Sequence, residues 1–160
     1  MNPAEWLKRT AAKSPAAPAL FTGVRQVADY AAFAQTAGAI ARALQGCGVA
    51  KGDRVALFMA NSTAYLEALY GIWWAGAAAV PINAKLQVRE AAWMVEDAGA
   101  KFMFCDEKSA NAMSGLLSGD GQIVMTGSAD FDAMRSEAPL SEPVPLDDDD
   151  LAWLFYTSGT

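Results

Sequence analysis

From Asp29 to Arg135 the apolar residues keep changing their spacing. Behind Asp29, whose side chain can cap a helix, Tyr30, Phe33, Ala37, Ile40, Leu44 and Cys47 recur every three or four positions, and Gly46 and Gly48 punctuate the end. That spacing predicts an amphipathic helix with one buried face. After the turn Lys51-Gly52-Asp53, the run from Val55 to Ala60 is continuously apolar, the pattern of a short strand covered on both faces. Asn61 and Ser62 offer capping side chains for a helix through Ala75, which Gly76 ends. The alternation continues with a strand at 77–82 (AAAVPI), a helix at 88–99, a strand at 101–105 (KFMFC), a helix at 107–117, a strand at 122–126 (QIVMT) and a short helix around Phe131. Strands separated by helices need crossover connections, so the expected fold class is α/β, with a mainly parallel sheet and crossover helices.

Positions 136–150 break this rhythm with Pro139, Pro143 and Pro145 and no hydrophobic period. They also change the reading of charge. The chain has 12 basic and 18 acidic residues, a net charge of -6. Six of the acids (Glu137, Glu142 and Asp147 to Asp150) fall in this stretch without a base, so positions 1–136 are neutral. Three regions follow: an α/β unit at 1–136, an acidic, proline-containing linker at 137–150, and a strand with the start of a loop at 151–160. The acidic tract reads as a solvated connector, because four consecutive aspartates lack the spaced ligands and turn glycine of a calcium loop.

Composition removes several functions. With no histidine in 160 residues, a Ser-His-Asp relay, a Cys-His pair and a His-ligated zinc site are all ruled out. Cys47 and Cys105 form no metal or disulfide pattern and read as small buried apolar residues in a reducing compartment. A neutral body without a basic stripe predicts no nucleic-acid partner. The uncharged run Ala68 to Ile82 contains Gly71, Gly76 and Pro81 and falls short of the roughly 20 residues of a membrane span. No apolar leader opens the chain, so a cytoplasmic location is expected.

Candidate chemistry gathers at the end of the sequence. LAWLFYT (151–157) has the pattern of another buried strand, and Thr157, Ser158, Gly159 and Thr160 follow from it. In an open α/β sheet, ligands sit at the carboxyl ends of strands, where glycine lets the backbone approach a phosphate and hydroxyls add donors without bulk. By itself such a run is more often an ordinary turn, and the spacing of a Walker A loop is absent. Other candidates have structural explanations: Asn61 and Ser62 as caps, Trp73 and Trp74 as core rather than the floor of an acyl tunnel, Arg89 and Glu90 as a surface pair, and Met59, Met94, Met103 and Met125 as core. No GxGxxG opens a helix, which argues against a dinucleotide oxidoreductase.

The segments GVAKGDRVALFMANSTAYLEALYGIWWAGAAAVPINAKL, REAAWMVEDAGAKFMFCD and DDDDLAWLFYTSGT together resemble the adenylate-forming (AMP-binding) acyl-CoA synthetases, and the resemblance runs from about Ala19 to Thr160. It implies the amino-terminal portion of such an enzyme's large domain, with the natural chain continuing past Thr160. The implied activity is that of an AMP-forming acid:CoA ligase, of the kind met in fatty acid metabolism. A carboxylic acid attacks the α-phosphorus of ATP, giving an acyl-adenylate and pyrophosphate, and CoA then takes the acyl group. ATP, magnesium (Mg2+) and CoA are the implied cofactor and co-substrates. Thr157, Ser158, Gly159 and Thr160 match the opening of the family's phosphate-binding loop, and Tyr156 is expected to pack beneath it. No catalytic residue and no metal ligand of the family falls within these positions, so the 160 residues alone are expected to be inactive. Thr160 and Asn83 stand where peptide-synthetase adenylation domains usually carry Ser and Asp, which favours the CoA ligases. Asp29 and Ala32 replace the family's usual Thr and Glu, keeping a cap but losing a capping box, and Lys85 replaces a usual Arg. The alternatives are an amino-acid or other adenylation domain and a non-catalytic nucleotide-binding module. Oligomeric state is left open.

Overall fold

The structure, a computed structural model, describes residues 1–113 and 121–157. Its elements are α1 (Ala4–Lys13), β1 (Pro18–Thr22), β2 (Arg25–Asp29), α2 (Tyr30–Gly46), β3 (Arg54–Phe58), α3 (Thr63–Trp74), β4 (Ala78–Ile82), α4 (Val88–Asp97), β5 (Ala100–Cys105), α5 (Glu107–Met113), β6 (Gln122–Met125) and α6 (Ala129–Arg135). The strands β4-β3-β5-β6 form a parallel sheet in that order, as the alternation of apolar runs and helices predicts. The predicted helix at 107–117 is α5 as far as Met113; its last four positions lie outside the described residues.

Continuous apolar runs make strands here because both faces of the sheet are covered. On one face Val55, Leu57, Ala79, Phe102 and Phe104 pack with α1, α2, α3 and α6. On the other, Ala56, Phe58, Val80, Ile82, Met103 and Cys105 pack with α4 and α5. Alternate side chains of one strand thereby serve two cores. The caps behave as their residue types require: Asp29 Oδ1 accepts from Ala32 N at 2.8 Å and Ser62 Oγ from Tyr65 N at 3.1 Å. Glu90 turns back to accept from Gln87 N at 3.1 Å, so it closes the start of α4 rather than pairing with Arg89.

Two elements go beyond the sequence reading. Helix α1 is tied down by Asn2, whose buried side chain donates to Trp73 O (2.6 Å) and Val144 O (2.8 Å) and accepts from Ala4 N. The antiparallel hairpin β1-β2 stands at the surface, with Phe21 and Val27 half exposed and Val24 fully so. One cysteine also differs from expectation. Cys105 is buried, but Cys47 is exposed, because it caps the end of α2 in the solvent-facing turn at 45–48.

The stretch after α6 runs over the surface but is tacked to it. Leu140 N donates to Gly38 O and Val144 N to Trp74 O; Pro143 is buried and Val144 half-buried. Lys51 reaches Asp150 (2.8 Å) and Asp147 (3.6 Å), the amino terminus pairs with Asp148, and Lys8 with Glu142. Exposed pairs like these contribute little, so the backbone bonds and the packing of Pro143 and Val144 do most of the holding.

Candidate functional site

Parallel strands that share a direction bring their carboxyl ends to one edge of the sheet, and the loops that leave them form the walls of a crevice. Here the loops after β3, β4 and β5 enclose a cleft of about 690 Å³. Its floor is Met59, Pro81 and Ile82; its polar groups are Asn61, Tyr65, Asn83 and Asp106, with Lys85 and Lys108 exposed at the rim. Each of these residues follows a strand by only a few positions or starts the next helix, so the topology alone gathers them.

The polar groups of the rim are partly committed. Asp106 Oδ1 accepts from Ser109 N at 2.9 Å, starting α5, and Oδ2 from Ala60 N at 3.4 Å. Burial pushes the Asp106 carboxyl up, but Ser109 and the Ala60 N-H outweigh it and hold the group below the usual carboxylate range. It is therefore an ionised structural brace between two loops. Asn83 Oδ1 accepts from Lys85 N at 3.0 Å, which tightens the turn after β4. Among the described residues no cluster of three or more metal-ligating side chains occurs.

The fourth wall comes from 151–157. This segment lies along the free edge of β4, where Ala79 N donates to Ala152 O (3.0 Å) and Leu154 N to Ala79 O (2.9 Å), a single parallel bridge. Trp73 Nε1 also donates to Ala152 O, at 2.9 Å, and its ring meets Trp153 edge-on. The expected buried strand is corrected. The backbone alternates as a strand does, yet Leu151, Trp153 and Phe155 are 55%, 41% and 60% exposed, because within the described residues only one flank of this edge segment is covered. Phe155 and Tyr156 line the cleft. The Tyr156 side chain packs on α4: its hydroxyl donates to Asp97 Oδ2 at 2.6 Å and its ring stands edge-on to Trp93 at 5.7 Å. Burial, with the Asp97 carboxylate added to it, pushes the Tyr156 phenol up to about 12.

Thr157, the first of the four residues expected at the phosphates, is the next residue and is exposed. Ser158, Gly159 and Thr160 lie outside the described residues. Trp73 and Trp74 are core, as expected, and their indole N-H groups hold the chain at Ala152 and Leu140. Asn61 lines the cleft while Ser62 provides the cap. What the sequence reading passed over is Asn83, Lys85, Tyr65, Asp106 and Lys108 as a group, and the available signal was their common place just after strand ends.

The model of the AMP-binding enzyme family matches residues 7–160. The chain belongs to that family. It is 32% identical over 155 residues to a 2-succinylbenzoate–CoA ligase of Geobacillus kaustophilus, covering 97% of this chain and 30% of the ligase. It is also 32% identical over 158 residues to surfactin synthase subunit 3 of Bacillus subtilis, covering 97% of this chain and 12% of the synthase. Among solved structures, the anthranilate CoA ligase AuaEII in complex with anthranoyl-AMP superposes with a TM-score of 0.89 at 26% identity, over 99% of this chain and 32% of that one. The fold is thus the one with which adenylate-forming enzymes begin, and the chain spans about a third or less of the curated relatives it matches. Among the described residues, no helix is long and apolar enough to cross a membrane.

Proposed function

We propose that this chain forms the amino-terminal part of an ATP-dependent acid:CoA ligase located in the cytoplasm. In this reading Thr157, Ser158, Gly159 and Thr160 hold the β and γ phosphates of ATP. The observation that carries it is geometric: Phe155 and Tyr156 line the cleft at the carboxyl ends of β3, β4 and β5, and the hydroxyl-glycine run starts at the next residue. The family match supports it.

When an acid attacks the α-phosphorus, negative charge accumulates on departing pyrophosphate. Hydroxyls and backbone N-H groups fixed in advance stabilise that charge without reorganising as the bond breaks. Gly159 would allow the backbone to close on the phosphate, and Ser158 and Thr160 would donate from either side of it. Magnesium enters as the counter-ion of the ATP substrate. CoA and the carboxylic acid would bind to parts of the full-length protein beyond these residues, and no nucleic acid takes part.

The likeness to a surfactin synthase subunit favours a second reading, an adenylation domain that passes its acyl group to a carrier-bound thiol. The test uses the full-length protein with ATP, magnesium and a panel of carboxylic acids. Expected are acid-dependent exchange of pyrophosphate into ATP and, with CoA, release of AMP and a CoA thioester. Exchange driven by an amino acid, with no thioester formed on CoA, would select the second reading; no exchange with any acid would reject both.

A further inference from the structure

Past Leu154, 151–157 makes no further backbone bond to β4 among the described residues, so something else must set the direction of the residues after it. The Tyr156 side chain does this. Its hydroxyl bond to Asp97, in the last turn of α4, and its edge-on contact with Trp93, one turn earlier, clamp it against a helix whose other face is buried by Ala91, Ala92 and Val95. Because consecutive Cα atoms are about 3.8 Å apart, fixing Tyr156 fixes the start of Thr157.

We propose that Tyr156 is a positioning residue for the phosphate loop, with Asp97 and Trp93 making α4 the rigid element from which the loop is hung. The inference rests on the reading of 157–160 as the phosphate site. A loop ordered in advance has met its entropy cost during folding; one that is loose must meet it when the nucleotide binds. Loss of the clamp therefore falls on KM for ATP. A purely structural role would fall on stability instead. The buried face of α4 does not depend on Tyr156, so the two are separable.

The experiment compares Tyr156→Phe, Asp97→Ala, Asp97→Asn and the double variant Tyr156→Phe/Asp97→Ala in the full-length protein, with Ser158→Ala as the arm that reports on the loop itself. Tyr156→Phe keeps the ring on Trp93 and removes the hydroxyl. It should raise KM for ATP roughly three- to tenfold, the worth of one ordinary hydrogen bond, with kcat changed less than about twofold and the melting temperature unchanged. Asp97→Ala should match it, Asp97→Asn, which keeps an acceptor oxygen, should restore most of the loss, and the double variant should be no worse than either single one. If Ser158→Ala weakens ATP use while Tyr156→Phe and Asp97→Ala leave KM untouched, the positioning role is wrong and the phosphate site stands. If Ser158→Ala has no effect either, the phosphate reading fails and the clamp with it. Should Tyr156→Phe not fold, the two Asp97 variants decide the question alone.

Discussion

At the scale of single residues, the most exacting electrostatic arrangement lies away from the cleft. Glu67 on α3 is buried and takes a two-pronged bond from Arg135 on α6, at 3.0 and 3.1 Å. Burial pushes the Glu67 carboxyl up, and the charge and hydrogen bonds of Arg135 pull it back only in part. A carboxyl whose pKa is higher folded than unfolded binds its proton more readily in the native state. Its contribution is therefore largest at low pH and declines as pH rises through the folded value. Relative to Glu67→Gln, the wild-type melting temperature should fall as pH goes from about 4 to 7, which a series of thermal melts would check. Arg135→Ala leaves the carboxylate buried without its partner. We expect a loss of about 1 to 3 kcal/mol at neutral pH, less than for a fully enclosed pair because the guanidinium side meets solvent. The loss should shrink in acid, where Glu67 protonates.

At the scale of elements, close approach sets the tolerance to change. Gly71 on α3 sits where a Cβ would come within 2.5 Å of Ile40 Cγ2 on α2. Gly71→Ala would favour an isolated helix, yet the pair α2-α3 must separate to admit the methyl. The net effect should be destabilising by about 1 to 3 kcal/mol, measured by denaturant unfolding. Gly76 is constrained twice, by a φ of +76° and by Val144 Cγ1, which a Cβ would meet at 2.7 Å. The elements that can be read from the chain are those with a strong period or a continuous apolar run: α2, α3, α4 and the strands β3 to β6. The hairpin cannot be read that way, and α1, though amphipathic, turns only Ala4 and Leu7 fully into the core and was passed over. The hairpin strands are five residues each, mostly solvent-facing, and alternate weakly around Gly23. Helix α1 is held by Ala4 and Leu7, which are buried in the core, and by Asn2, whose three side-chain hydrogen bonds leave no mark on hydrophobic patterning. The segment 151–157 looks like a buried strand because its composition is apolar, and composition does not say which flank of an edge is covered.

At the scale of the molecule, the cleft shows how one topology serves both stability and chemistry. The sheet that buries Val55 and Leu57 completely also turns the ends of β3, β4 and β5 toward 155–157. Residues inside the sheet and residues beyond its carboxyl ends should then fail in different ways. Leu57→Ala should cost about 2 to 5 kcal/mol of stability through lost burial and a cavity, while the surviving folded molecules keep their affinity for ATP. The candidate phosphate residues were legible as a hydroxyl-glycine run, and their meaning came from the resemblance of the whole order of segments. The clamp on Tyr156 was not legible, because Asp97 and Tyr156 are 59 positions apart and nothing local links them. The most direct test of the central claim is a paired measurement on Ser158→Ala and Thr160→Ala in the full-length protein, ATP kinetics beside thermal melting. Each change should lower kcat/KM for ATP about 10- to 150-fold, the worth of a hydrogen bond to a charged group, and leave the melting temperature where it was. A fall in melting temperature with kcat/KM for ATP unchanged would contradict the account and make the run after Tyr156 a turn.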